Sequence, residues 1–206
     1  MTASGLPSDL LARAEAMLER GGRILGIAGE PGSGKSTSAD RLLTHFGDRA
    51  ALLPMDGFHF ANEELHRLGL AHRKGAPETF DVDGYIAALE RVRARAHDVL
   101  VPRFHREVEE PFAGAIRIAV TTELVITEGN YLLLPAGRWG DIAPLLDERW
   151  LLRPDDARRR ARLVARHEAH GRSRTEAISW VDEVDEPNAE LVRSRSIRAT
   201  HEFDPG

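Results

Sequence analysis

Short apolar runs alternate along the chain with longer stretches in which apolar residues recur at helical spacing. The longer stretches predict helices over Leu6–Arg20, Ser36–Phe46, Ala61–Leu68 and Gly84–His97, with two more that open at Pro154 and after Ser173. The apolar runs predict strands over Ile24–Ala28, Ala50–Pro54, Val99–Val101, Ile116–Val120, Leu124–Thr127 and Arg149–Leu152, with a charged connection at 102–114. Strands that alternate with helices favour an α/β fold, in which helices cover both faces of a mostly parallel central sheet in three layers.

Turn and cap residues mark the ends of several predicted elements. Pro154 suits the first position of a helix, and Ser173 and Glu176 have the spacing of a capping box. Asp185-Glu186-Pro187 is expected to interrupt the helical region that follows. Because no internal repeat or long linker divides the sequence, residues 1–206 are expected to form a single domain.

Composition narrows the classes of function. The chain has 28 basic and 33 acidic residues, a net charge of −5, so general nucleic-acid binding is not expected. It has no cysteine, which excludes disulfides and cysteine nucleophiles and suits a reducing compartment. No apolar run is long enough to cross a bilayer, and Met1–Asp9 lacks the features of a signal peptide. We therefore expect a cytoplasmic protein without a membrane partner. Whether it forms a homodimer is left open by the sequence.

The strongest chemical signal lies between the first predicted strand and the helix that follows it. Gly29–Ser36 reads GEPGSGKS, which matches the phosphate-binding pattern GxxxxGKS/T in the expected strand–helix context. Its glycines let backbone N–H groups turn inward towards phosphate oxygens, and the helix adds its positive end. The competing interpretation is a glycine-rich turn that happens to precede a helix. We expect ATP and Mg²⁺ as cofactors, with Lys35 reaching the β- and γ-phosphates and Ser36 binding the metal. The residues expected to bind ATP are Gly29, Pro31, Gly32, Ser33, Gly34, Lys35, Ser36 and Thr37.

Lysine is scarce in this chain, because 26 of the 28 basic residues are arginine and the other two are Lys35 and Lys74. Genome composition and chance would explain this distribution. The alternative is that a compact ammonium group is needed at those two positions.

Two acidic residues follow predicted strands at positions where ligands bind in open α/β sheets. Asp56 follows the second strand, where it would accept the proton of a substrate hydroxyl that attacks the γ-phosphorus. Glu128 ends the strand Leu124–Thr127, where an acid in a P-loop protein usually meets Mg²⁺ directly or through water. For both residues the competing interpretation is ordinary turn chemistry.

Arginine is concentrated in Arg153–Arg174, which contains eight arginines. Arg158, Arg162 and Arg166 share one helix face, with Ala157, Ala161, Val164 and Ala165 marking the side expected to be buried. The segment from about 154 to 186 is therefore expected to form a helical lid that closes over ATP. In that role Arg158 would contact the nucleotide, and Arg162 and Arg166 would stabilise the transferred phosphoryl group. The competing interpretation is a solvated face paired with nearby acids.

The nine histidines are scattered and do not show the spacing of a metal site. His59 and His105 are kept as candidate substrate contacts, and the competing interpretation for each is an ordinary surface or pocket residue.

Together these motifs resemble the P-loop kinase superfamily of uridine kinase, phosphoribulokinase and bacterial pantothenate kinase. The resemblance runs in order along residues 22–203 and is nearest to short bacterial proteins described as nucleoside/nucleotide kinase-like or fructose transport system kinase-like. The matching segments are LPMDGFHF at Leu53–Phe60, RKGAPETFDVDGY at Arg73–Tyr85, PRFHRE at Pro102–Glu107 and VITEGNYLL at Val125–Leu133.

The resemblance implies the P-loop three-layer fold and a kinase that phosphorylates a hydroxyl of a small molecule, with Asp56 as the base. A fructose-like sugar is the favoured acceptor, and a nucleoside or pantothenate is the alternative. A switch or ATPase without an acceptor remains a hypothesis from another class, although no NKxD motif for guanine occurs. The residues expected on the substrate side are Asp56, His59, Lys74, Phe80, His105 and Arg106.

Overall fold

A computed structural model describes residues 7–205, so the expectations for residues 1–6, including the start of the first helix, lie outside the described part. The helices are α1 Ser8–Glu19, α2 Lys35–Phe46, α3 Asn62–Leu68, α4 Val82–Ala94, α5 Asp156–Ala169, α6 Arg174–Trp180 and α7 Glu186–Arg195. The strands are β1 Ile24–Gly29, β2 Ala50–Pro54, β3 Val99–His105, β4 Glu110–Ile118, β5 Leu124–Gly129, β6 Glu148–Leu152 and β7 His201–Phe203.

Five strands form one parallel sheet in the order β2-β5-β1-β6-β7. Strand residues alternate between two cores, because successive side chains point to opposite faces of a sheet. Leu25 and Ile27 pack with α1 and α2 on one face. Ile24 and Ala28 pack with α4, α7 and the β3–β4 hairpin on the other face. The predicted three-layer α/β/α class with a mostly parallel sheet is confirmed.

The expected connection at 102–114 is wrong, since most of it is strand. β3 and β4 form an antiparallel hairpin whose strands include Pro102–His105 and Glu110–Gly114, with an irregularity between Val101 and Arg103. The outer half of this ribbon has no fully buried position, with four consecutive exposed residues at 112–115, so no alternation of buried and exposed residues marked it as strand. The turn at 106–109 therefore lies at the tip of a hairpin, which carries Arg106 to the site described below.

Two expectations about turn and cap residues in the arginine-rich region need correction, and one is confirmed. Pro154 lies before the N-cap rather than at the first helical position, because Asp155 caps α5 with its carboxylate on the Arg158 N–H. Asp185–Pro187 does not interrupt the chain, since a π-helical turn at Val181–Asp185 runs directly into α7. The capping box of Ser173 and Glu176 is confirmed.

The buried side of α5 differs from the predicted one. Ala157, Ala161 and Ala165 are exposed, whereas Arg159, Leu163 and Val164 are buried. Leu163 and Val164 pack with α6 and the π-helical turn in a small core separate from the two sheet cores. A buried arginine on this face breaks the apolar pattern on which the prediction depended.

Between residues 7 and 205, no helix combines the length and apolar character needed to span a membrane.

Candidate active site

The phosphate-binding loop sits at the carboxyl edge of the parallel sheet. β1 ends at Gly29, and α2 begins at Lys35, so the loop delivers the N-terminus of α2 to this edge. Gly32 has φ +77°, and a Cβ there would lie 2.7 Å from Leu163 Cγ of α5. Glycine is therefore required at this position for two reasons, namely the left-handed backbone and the close approach of α5.

The Lys35 side chain is buried at the start of α2, and its Nζ donates to the Glu30 carbonyl at 2.9 Å. Burial lowers the pKa of Lys35 to about 8, although the carboxylates of Glu128 and Asp56 act in the opposite direction. A cation held this close to two acids is suited to bind a polyanion that brings its own negative charge.

Ser36 and Glu128 present two oxygens side by side, with Ser36 Oγ donating to Glu128 Oε1 at 3.2 Å. Burial raises the pKa of Glu128, and the negative charge of Asp56 adds to the effect. A hydroxyl and a buried carboxylate form the hard-oxygen donor set that Mg²⁺ prefers when phosphates supply further ligands. The residues present therefore fit Mg²⁺, which P-loop kinases typically use with ATP. Among the described residues, no cluster of three or more histidines and acids is arranged for a metal.

Asp56 lies next to Glu128 because β2 pairs with β5 and places Pro54 opposite Glu128. A 3₁₀ turn at Met55–Phe58 then carries the Asp56 carboxylate past the end of the sheet. Arg106, from the hairpin tip, donates to Asp56 Oδ2 at 3.3 Å. The strand-end position predicted for Asp56 is confirmed, and its half-exposed carboxylate faces the same space as Lys35.

A cavity of about 630 Å³ extends from the phosphate loop past Asp56. His59 and Phe80 line it on the side away from the loop, and the His59 ring packs between Phe80 and Phe104 at centroid distances of 4.0 and 4.8 Å. The predicted residues that line this cavity are Pro31, Gly32, Lys35, Ser36, Asp56, His59, Lys74, Phe80, Arg106, Glu128 and Arg166.

Lys74 reaches across the rim of the cavity to the hairpin tip. Its Nζ donates to Asn62 Oδ1 at 2.5 Å and to the Glu109 carbonyl, and it lies 5.3 Å from the centre of the Phe104 ring. Lys74 therefore ties the polar loop after α3 to the hairpin, while still lining the cavity. His105, the other histidine expected to contact substrate, stacks on Phe112 at 4.6 Å and lies outside the cavity lining formed by residues 7–205.

The three arginines of the predicted stripe lie at different distances from the cavity. Arg166 lines it, and burial lowers the pKa of its guanidinium, with the nearby Arg106 adding to the effect. Arg162 approaches the phosphate loop, where its Nη1 would lie 3.8 Å from a Cβ at Gly34. Arg158 is exposed and outside the described lining.

Arg159, which the stripe omitted, joins the lid to the phosphate loop. It is 1% exposed and makes ion pairs with Asp156 at 2.7 Å, Glu186 at 2.7 Å and Glu30 at 3.3 Å. Arg193 of α7 pairs with the same Glu30 at 2.7 Å. This network fixes the first turns of α5 against the loop.

Replacing Arg159 with methionine is expected to lower the free energy of unfolding by about 3 kcal/mol, because three carboxylates lose their shared buried partner. Urea unfolding monitored by circular dichroism measures the change. Arg158→Met is the matched control on the exposed side of the same helix, and it should change stability by less than about 0.5 kcal/mol. Equal midpoints for the two variants would contradict the structural role of Arg159.

Several cavity residues were missed by sequence reasoning. Asn130 follows Glu128 at the end of β5, so the rule that found Glu128 also pointed to it. Phe104 and Glu109 were hidden by the wrong interpretation of 102–114. Trp180 and Asp185 carried no local signal, because helix packing alone brings them to the cavity.

Comparisons with known proteins agree with this fold and site, although no protein-family model matches the chain. The chain is 32% identical over 202 residues to a Schizosaccharomyces pombe protein named "Putative uridine kinase", covering 92% of this chain and 86% of that protein. It is 31% identical to the pantothenate kinase of Enterococcus faecalis over 63% of this chain, and spans about half (48%) of that enzyme. A crystal structure described as a "putative fructose transport system kinase" from Silicibacter sp. TM1040 superposes with a TM-score of 0.85. It is 35% identical, and the alignment covers 93% of this chain and 97% of that one.

The chain therefore belongs to the P-loop kinases, the class that its fold and phosphate loop also define. Its relatives in this class include proteins named as uridine kinase and pantothenate kinase, and the chain is accordingly a phosphotransferase.

Proposed function

We propose that this kinase uses ATP and Mg²⁺ to phosphorylate a hydroxyl group of a small molecule, with a fructose-like sugar as the favoured acceptor. The observation that carries the proposal is the convergence of Asp56, Lys35 and Glu128 at one end of a single cavity. The remaining length of that cavity, past Asp56, offers room for an acceptor.

In the proposed reaction the phosphate loop and Lys35 bind the β- and γ-phosphates. Ser36 and Glu128 would hold Mg²⁺, which would neutralise phosphate charge. The acceptor hydroxyl lies against Asp56 and gives its proton to that carboxylate as its oxygen bonds to the γ-phosphorus. The bond from the γ-phosphorus to the bridging oxygen breaks, and ADP leaves. Arg166 stabilises the charge of the transferred group from the lid side, with Arg162 near the loop.

Support for the sugar comes from the name of the Silicibacter relative, which mentions a fructose transport system kinase. Support for a nucleoside comes from the name of the Schizosaccharomyces pombe relative, which mentions a uridine kinase. Pantothenate is supported less, because the chain spans only about half of the pantothenate kinase that it matches. The switch hypothesis is disfavoured by the aromatic walls of His59, Phe80 and Phe104 beyond Asp56, since a nucleotide switch has no use for an acceptor pocket.

A metabolite panel tests the proposal. The purified chain is given MgATP together with single sugars, nucleosides or pantothenate, and ADP release is measured by a coupled assay. One chemical class is expected to stimulate ADP release well above the basal rate, and phosphorus NMR should show its phosphomonoester. Slow hydrolysis that no compound stimulates would support the switch instead.

A further inference from the structure

Three side chains on the lid side of the cavity form a connected row of hydrogen bonds that the proposed reaction does not use. Arg172 Nη1 lies 2.8 Å from His167 Nδ1, and His167 Nε2 lies 2.8 Å from Asp185 Oδ2. All three residues line the cavity. They come from three places in the chain, namely α5, the loop after it and the π-helical turn.

The chemistry of the partners fixes the direction of every bond in this row. A guanidinium has no acceptor, so Arg172 must donate and His167 Nδ1 must accept. An ionised carboxylate has no donor, so the His167 Nε2–H must donate to Asp185. The imidazole is therefore neutral, with its one proton on Nε2. A second proton on Nδ1 would face the Arg172 N–H, break that bond and place two cations in contact.

The same arginine is held from its other side by an aromatic ring. The Arg172 guanidinium carbon lies 3.9 Å from the centre of the Trp180 ring, within the range of a cation–π interaction. The charged groups around His167 are Asp185 from the π-helical turn, Arg172 from the connecting loop and Arg166 beside it on α5, while α6 contributes the uncharged Trp180. His167 and Asp185 are 13% and 11% exposed, so solvent competes little for these bonds.

We propose that His167 and Asp185 are positioning residues that hold Arg172 over the cavity, where its guanidinium meets the phosphates of the bound nucleotide. The π-helical turn presents Asp185 to His167. Asp185 Oδ2 contacts His167, and Asp185 Oδ1 lies 4.0 Å from Arg166. One carboxylate thereby orients two arginines of the lid. The role as phosphate contact rests on the proposed function, whereas the orientation of Arg172 does not.

The orientation is tested without any substrate. Two-dimensional NMR of the histidine ring nitrogens at neutral pH should show His167 protonated at Nε2 and bare at Nδ1. Tryptophan fluorescence should differ between the original chain and His167→Phe, because Arg172 loses its hydrogen bond to the imidazole and leaves Trp180. Because Trp150 lies near His201, Trp180→Phe identifies which part of the change belongs to Trp180. An Nδ1–H tautomer for His167, or a Trp180 fluorescence change in His167→Gln as large as that in His167→Phe, would overturn the proposal.

Glutamine is the conservative replacement, because it offers one acceptor to Arg172 and one donor to Asp185. His167→Phe keeps the volume and loses both bonds. The affinity for MgAMP-PNP, measured by calorimetry, is expected to fall about tenfold in His167→Phe and in Arg172→Gln, and to be retained in His167→Gln. In the double variant His167→Phe/Arg172→Gln the two losses should not add, since both remove the same contact.

His45→Gln on the exposed side of α2 controls for loss of a histidine as such. Unchanged affinity in both His167→Phe and Arg172→Gln would overturn the positioning role, whatever the metabolite panel shows. Conversely, a panel without any active acceptor would refute the proposed function but would not affect the tautomer and fluorescence results.

Discussion

Replacing Lys35 with methionine is expected to reduce ATP turnover by about a thousandfold. Methionine keeps the length and apolar stem of lysine but removes the ammonium that meets the β- and γ-phosphates, and one lost preorganised donor costs about 10²–10³ in kcat. Here the loss should reach the upper end of that range, because the Lys35 side chain is buried and interacts electrostatically with the Glu128 carboxylate. The affinity for MgATP should fall as well, since the contact also stabilises the bound nucleotide.

The comparison variant is Arg41→Met, which removes a cation from the same helix at a position outside the described cavity lining. It should leave turnover and MgATP affinity within a few-fold of the original chain. Equal turnover in the two variants would show that the ammonium of Lys35 has no special part in binding phosphate.

Asp56→Asn is expected to reduce phosphoryl transfer to the acceptor by about 10²–10⁴-fold, the usual contribution of a general base. The amide fills the same volume and still accepts a hydrogen bond from Arg106, but it cannot take up the proton of the acceptor hydroxyl. MgATP affinity should change little, because the proposed role of Asp56 is to bind the acceptor hydroxyl rather than the phosphates. The two quantities are measured as initial rates of product formation and by calorimetry.

Asp48→Asn, on the exposed turn before β2, is the matched control and should transfer phosphate at the original rate. The decisive comparison is with Lys35→Met. If Asp56→Asn retained full transfer to the true acceptor while Lys35→Met lost it, Asp56 would not be the base.

Local signals predicted the sheet and the nucleotide side of the site well. β2 was predicted with its observed bounds, Ser36 was predicted from the GxxxxGKS/T motif, and Glu128 was predicted from its place at the end of an apolar strand. This worked because a parallel sheet buries its strands completely and collects their carboxyl ends at one edge. Asp56 was predicted by the same rule.

The β3–β4 hairpin and the α5–α7 region were harder to predict because long-range packing builds them. In the β3–β4 hairpin only Val99–Val101 and Ile116–Ile118 carried an apolar run, so the outer halves of both strands were missed and Arg106 was placed in a connection rather than at a hairpin tip. The helix α5 was predicted, but its buried face was not, because burial of Arg159 depends on Glu30 and Glu186, which lie far away in sequence. The spacing of apolar residues within α5 carries no information about those distant partners.

The pairing of Glu30 with Arg159 and Arg193 has a consequence for the evolution of this loop. Position 30 is one of the four places in GxxxxGKS/T at which any residue satisfies the phosphate-binding pattern. In this fold its carboxylate is shared by two guanidinium groups from α5 and α7, so a neutral residue there would leave Arg159 and Arg193 with fewer partners. Among descendants of one ancestral kinase, positions 30, 159 and 193 should therefore change together. The residue at position 30 should then differ between kinases whose loop is supported by different helices.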